Sequence, residues 1–158
     1  MGNLSNNEVK ALIECLKFII HSKKEIYLPP FGEQVQLEAT NSDSTIKFLI
    51  DINRKGHMNI KKLTLQLRYR YTDVLVRVDF GAKHTNPDGT VLDEPHIHIY
   101  EEGYDTKWAY PLFNNSRYSM SVDIDDCLQN IIDVVKDFLK LIRVGNTDLY
   151  NLYNPLPI

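Results

Sequence analysis

In five runs between Val35 and Tyr100 apolar side chains recur at every second position, which restricts the chain to folds built on a half-buried sheet. Val35, Leu37 and Ala39 alternate with Gln34, Gln36 and Glu38. Ile46, Phe48, Ile50 and Ile52 alternate with Lys47, Asp51 and Asn53. Leu63, Leu65, Leu67, Tyr69 and Tyr71 alternate with Lys62, Gln66, Arg68 and Arg70. Val74, Val76, Val78 and Phe80 alternate with Asp73, Arg77 and Asp79, and Ile97 and Ile99 alternate with His96, His98 and Tyr100. Five consecutive runs with short links predict an antiparallel meander.

Two segments break the period of two. "SNNE" from Ser5 is a capping-box pattern, and Val9, Leu12, Ile13, Leu16, Ile19 and Ile20 follow at helical spacing, which predicts a helix over 6–21. Asp123 is expected to open a second helix. Its apolar stripe would run through Ile124, Leu128, Ile131, Ile132, Val135, Phe138, Leu139 and Ile142, with Gly145 as its stop. The architecture these patterns predict is α+β: a two-layer sandwich in which an antiparallel sheet of five or more strands carries the N- and C-terminal helices on one face. At 158 residues the chain, 1–158, is expected to form a single domain.

Composition narrows the functional classes. A net charge of −3 argues against a general nucleic-acid coat, leaving only a local basic strand face for such contacts. No apolar run approaches the ~18–20 residues of a membrane span, and the N-terminus lacks the basic-then-apolar pattern of a secretory signal, so a cytoplasmic protein is expected. Cys15 and Cys127 are read as free thiols.

Three of the five histidines fall in "HTNPDGTVLDEPHIHIYEEGY", residues 84–104. On a strand, His96 and His98 project from the same side, and that side is the face turned away from the helices. Two imidazoles so placed can share one metal ion. "NPDGT" is a turn, with Pro87 fixing φ and Gly89 able to take positive φ, and it folds His84 back toward the pair. Asp79 and Asp93 are the nearby carboxylates. The metal reading therefore names His84, His96, His98 and Asp79, with zinc as the first choice for nitrogen and oxygen ligands. A metal-free alternative uses His96 and His98 as acid and base in RNA cleavage, with Arg77 against the phosphorane charge and Tyr100 beside them. Tyr104, Trp108 and Tyr110 in the aromatic segment, with Arg68 and Arg70 on the basic strand, suit a protein-binding surface.

The block "HTNPDGTVLDEPHIHIYEEGYDTKWAYPL" resembles the shared motif of an uncharacterised family of small bacterial and prophage proteins, strongly over 74–113 and in helix–strand order over the flanks. This resemblance implies a phage-borne setting, where small acidic proteins block host defences. One such class, the type II anti-CRISPR proteins, binds Cas9, and some members are stabilised by zinc. It implies a non-enzymatic, zinc-binding inhibitor with Cas9 as its target. The same region is similar to a class of small toxins of toxin–antitoxin pairs, which carry an arginine–aspartate strand ("RVD", Arg77 to Asp79) followed by a histidine pair. That second likeness implies a ribonuclease-like toxin with an antitoxin partner. A neighbouring gene for a DNA-binding antitoxin would favour the toxin, and phage structural genes would favour the inhibitor.

Overall fold

The computed structural model describes residues 3–55, 62–125 and 129–154. His57, Cys127 and Leu128 lie outside that range. In chain order the elements are α1 (Asn6–Glu14), β1 (Lys17–Ile20), β2 (Glu25–Tyr27), β3 (Gln34–Asn41), β4 (Lys47–Asn53), β5 (Leu63–Tyr69) and β6 (Asp73–Phe80). After these come β7 (His84–Thr85), β8 (Val91–Leu92), β9 (His96–Ile99), β10 (Ala109–Pro111), α2 (Ile131–Leu141) and β11 (Asn151–Tyr153). The predicted α+β class holds, with a larger sheet: seven antiparallel strands in the order β1-β3-β4-β5-β6-β9-β10. The β7–β8 hairpin is an excursion between β6 and β9, and β2 pairs in parallel with β11.

The alternation holds over most of the sheet and slips at the start of β6, where a register shift opposite Leu67 and Arg68 puts Leu75, not the expected Val74, in the core. Phe48, Ile50 and Ile52 of β4, Leu63, Leu65 and Leu67 of β5, and Val76, Val78 and Phe80 of β6 are buried on the helix-bearing face. Both helices add their stripes to this one core: Val9, Leu12 and Ile13 from α1, and Ile131, Val134, Val135, Phe138 and Leu139 from α2. No described helix is long and apolar enough to cross a membrane.

Three boundaries differ from the sequence reading. First, α1 stops at Glu14, and the residues expected to continue it form β1. Lys17 and Ile19 point inward while Leu16 and Ile20 are half exposed, so the strand alternates here with a lysine at an inward position and apolar residues at outward ones. What breaks the helix is Lys17. Its fully buried Nζ donates to the carbonyls of Ile13 (2.7 Å), Cys15 (2.9 Å) and Ile142 (2.9 Å), using all three protons. One ammonium thus closes the C-terminal ends of both helices, where the helix dipoles favour positive charge.

Second, α2 begins at Ile131, not Asp123. Asn130, just before the helix, accepts from the Asp125 N–H and donates to the Asp123 carbonyl. Third, the left-handed residue that ends α2 is Arg143 (φ 64°), not Gly145. Gly145 instead donates its N–H to the Lys17 carbonyl and sits against Leu16.

The outer strands of the sheet share a device. At β1, Asn146 accepts from the Ile19 N–H (2.8 Å) and donates to the Ile19 carbonyl (2.9 Å). At β10, the buried Asn86 makes the same pair of bonds with Ala109 (2.8 and 3.0 Å).

Candidate metal centre

Register places the site. Asp79 of β6 lies opposite Thr64 of β5 and His96 of β9, and Arg77 lies opposite His98. Residues directly opposite share a face, so Asp79, His96 and His98 all project from the side without helices. That side is not wet here. Asp79, His96 and His98 are 2%, 1% and 5% exposed, even though no described helix covers them. The β7–β8 segment folds back beside them, with Gly89 at φ 90° in its turn and Asn86 fastened to β10.

Each imidazole is tethered by its outer nitrogen. His96 Nδ1 lies 2.9 Å from the Glu94 carbonyl, and His98 Nδ1 lies 2.7 Å from the Thr106 carbonyl. A carbonyl only accepts, so both Nδ1 atoms carry hydrogen and both Nε2 atoms are left to face inward. They converge on one oxygen: Asp79 Oδ2 is 3.5 Å from His96 Nε2 and 3.3 Å from His98 Nε2. The other oxygen, Oδ1, accepts from the Thr64 hydroxyl (2.8 Å), and Arg77 Nε straddles the carboxylate, 3.1 Å from Oδ1 and 3.0 Å from Oδ2.

These separations match a shared cation. A tetrahedral ion with bonds of about 2.0–2.1 Å sets its ligand atoms about 3.3–3.4 Å apart. Charged hydrogen bonds between the same atoms would be shorter, at about 2.7–2.9 Å. Asp79, His96 and His98 form a group with one ligand atom from each within 4.8 Å of the others, and they can hold a metal ion. Carbonyl acceptors on the outer ring nitrogens are the usual support for metal-bound histidine.

Electrostatics agree with a site that attracts positive charge. Burial works against ionising Asp79, but His96, His98, Arg77 and Thr64 together hold its carboxyl well below the usual range. Burial likewise disfavours the charged form of His96, yet Asp79 and the Glu94 carbonyl raise its pKa above the ordinary value.

His84, the expected third imidazole, is adjacent. Its ring centre lies 4.6 Å from that of His98 and 5.9 Å from that of His96. Its Nε2 lies 2.9 Å from the Lys107 carbonyl, the same kind of tether the other two rings have. It is not part of the converging triad. Asp93, the other nearby carboxylate, is exposed and pairs with Lys83 at 3.5 Å.

A family of unknown function, DUF6978, matches residues 4–144. The chain belongs to it. No curated protein and no solved structure matches.

The remaining residues singled out in this DUF6978 protein divide between surface and interior. Tyr100 is not beside the histidines. The strand ends at Ile99, and the Tyr100 ring is buried in the core, near Leu4, Asp73 and Asp105. Arg68 is committed to the buried Asp51 through a two-pronged ion pair (2.6 and 2.8 Å), with Gln66 on the same carboxylate. Arg70 is exposed on the β5–β6 turn, lying 4.7 Å from the Tyr69 ring centre. Tyr104 is half exposed and meets Trp108 edge-on at 6.2 Å. Tyr110 is hydrogen-bonded to Glu101. The sequence reading missed Thr64, Glu94, Thr106 and Lys107, which position the site. Three of them act through the backbone carbonyl, which no side-chain pattern reports.

Proposed function

We propose that this chain is a zinc-binding, non-enzymatic protein whose metal centre holds a protein-binding loop in place. The carrying observation is the convergence of His96 Nε2 and His98 Nε2 on Asp79 Oδ2 at distances suited to a tetrahedral ion. His84 supplies the fourth ligand through Nδ1, after a reorientation of a ring already tethered at Nε2. Three imidazoles on one tetrahedral ion have ring centres about 5 Å apart, close to those of these rings. Four protein ligands and no open position characterise structural rather than catalytic zinc, and the burial of the three converging side chains favours the same reading.

The link to binding runs through Thr106 and Lys107. Their carbonyls anchor His98 and His84, and the aromatic residues Tyr104 and Trp108 flank them in sequence. Metal binding would therefore fix the loop that displays these rings, and aromatic residues on a fixed loop are effective anchors for a protein target. The resemblance to phage-borne inhibitors makes Cas9 the target to try first. The metal-free ribonuclease reading has less support: its two imidazoles would have to stand on opposite sides of a phosphate, whereas these converge on one carboxylate, and Tyr100 is elsewhere.

Elemental analysis of protein purified without chelator is expected to give one zinc per chain, lost in His98→Ala. Zinc well below one equivalent with all three histidines intact would refute the metal reading. Pull-down of Cas9 by the wild type but not by Tyr104→Ala/Trp108→Ala would support the target, and capture unaffected by that pair would reject the loop as the binding surface.

A further inference from the structure

Far from the histidines, a cleft of about 660 Å³ opens between α1 and the turn joining β5 to β6, a size usual for ligand sites. Its walls include Leu4, Glu8, Leu12, Tyr69, Arg70 and Asp73. Asp73 is 8% exposed, and among the described residues no side chain or backbone N–H bonds its carboxylate. Buried carboxylates are ordinarily paired, because desolvation without a partner is costly. Arg70, the one cationic side chain among the described residues of the cleft wall, does not pair with it. Arg70 and Tyr71 both adopt left-handed conformations (φ 55° and 64°), and the Arg70 guanidinium lies over the Tyr69 ring. Arg68 holds that turn by donating to the Tyr71 carbonyl (2.7 Å).

We propose that this cleft binds a cationic group on an apolar stem, an alkylammonium or alkylguanidinium, with Asp73 as its counter-ion. Glu8, exposed on α1, supplies a second carboxylate in the cleft wall, while Leu4 and Leu12 receive the stem. Charge attraction inside a partly desolvated cleft is stronger than at an open surface, which favours a cation over its neutral analogue. The chemistry is common to a free polyamine and to a lysine or arginine side chain of another protein.

The full chain, labelled with ¹⁵N, is titrated with butylammonium, butylguanidinium and neutral butyramide, and then with spermidine and N-acetyl-arginine amide. Saturable shifts are expected at the amides of Leu4, Glu8, Thr72 and Asp73 with the cations, at least tenfold weaker with butyramide. Asp73→Asn should abolish them, and Glu8→Gln should weaken them severalfold. Tighter binding of spermidine assigns the site to a free polyamine, and tighter binding of the arginine amide assigns it to a protein side chain. Absence of saturable shifts with every cation overturns the proposal, as does an equal response to butyramide. Should Asp73→Asn fail to fold, undiminished cation binding by Glu8→Gln, which lies on an exposed helix surface, overturns it as well.

Discussion

His98 Nε2 stands 3.3 Å from Asp79 Oδ2, while the proton on its other nitrogen is already committed to the Thr106 carbonyl. Only a further proton or a metal ion makes this pair attractive. In the proposed site a zinc ion would join β6 to β9 and, with His84 as a ligand, the β7–β8 hairpin as well. Chelation, or His96→Ala or His98→Ala, is expected to lower stability by about 3 kcal/mol, which at this chain length is about 10 °C in Tm. Thermal melts with and without chelator check it. A variant and a wild type that melt together in zinc-free buffer but separate when zinc is restored would isolate the metal's share.

Lys17 gives a pH dependence of definite sign. Burial lowers its pKa from 10.5 to about 8. Between those values the unfolded chain holds the proton and the folded chain does not, so stability rises with pH from about 8 toward 10. Above 10 the trend turns. Burial, aided by Glu101 and Glu14, pushes the Tyr110 and Tyr118 hydroxyls up to about 12, so there the folded state retains protons that the unfolded state releases. Urea unfolding at pH 8, 9 and 10 should show the rise in the wild type and none in Lys17→Met. That variant should also lose about 2–4 kcal/mol at pH 7, because three buried carbonyls lose their donor.

The two arginines expected to meet a partner should separate on stability alone. Arg68→Ala strands the buried Asp51 carboxylate and should cost about 3 kcal/mol. Arg70→Ala removes only a ring contact on an exposed turn and should cost under about 1 kcal/mol. Denaturant midpoints for the two variants decide between this and an equal role at the surface.

Gly89 and Gly145 also divide. Gly89 has φ 90°, so Gly89→Ala should destabilise the hairpin by about 1 kcal/mol even though the space is open. In Gly145→Ala the new Cβ would come within 2.9 Å of the end of the half-exposed Leu16 side chain, which can move aside, and within ordinary contact (3.5 Å) of the Phe18 ring. A change within about 1 kcal/mol is expected, measured by the same unfolding curves.

Parity made most of the sheet legible. From Val35 to Ile99 one buried face selects apolar residues at alternate positions, and the same parity puts His96, His98 and Asp79 on one side before any register is known. Residues 16–20 were not legible, because Leu16, Ile19 and Ile20 follow the helical period while the strand turns Leu16 and Ile20 outward, and a buried lysine between them reads as a solvated one. Tyr100 failed for a related reason: parity extrapolates only while the strand continues, and here it stops one residue earlier. Burial of the polar face was also beyond reach, since the hairpin that lies over it is fastened by Asn86 to a strand 23 residues away.

Asn86 and Asn146 carry one last implication. Each asparagine amide already offers Ala109 or Ile19 the donor and acceptor that a neighbouring strand would provide. A peptide seeking to lengthen the sheet at these two residues must first expel an amide that gains nothing by leaving. Recognition by main-chain annealing is thereby discouraged at both rims, and so is runaway stacking of copies into fibres. At these two positions, contact with a partner falls to side chains.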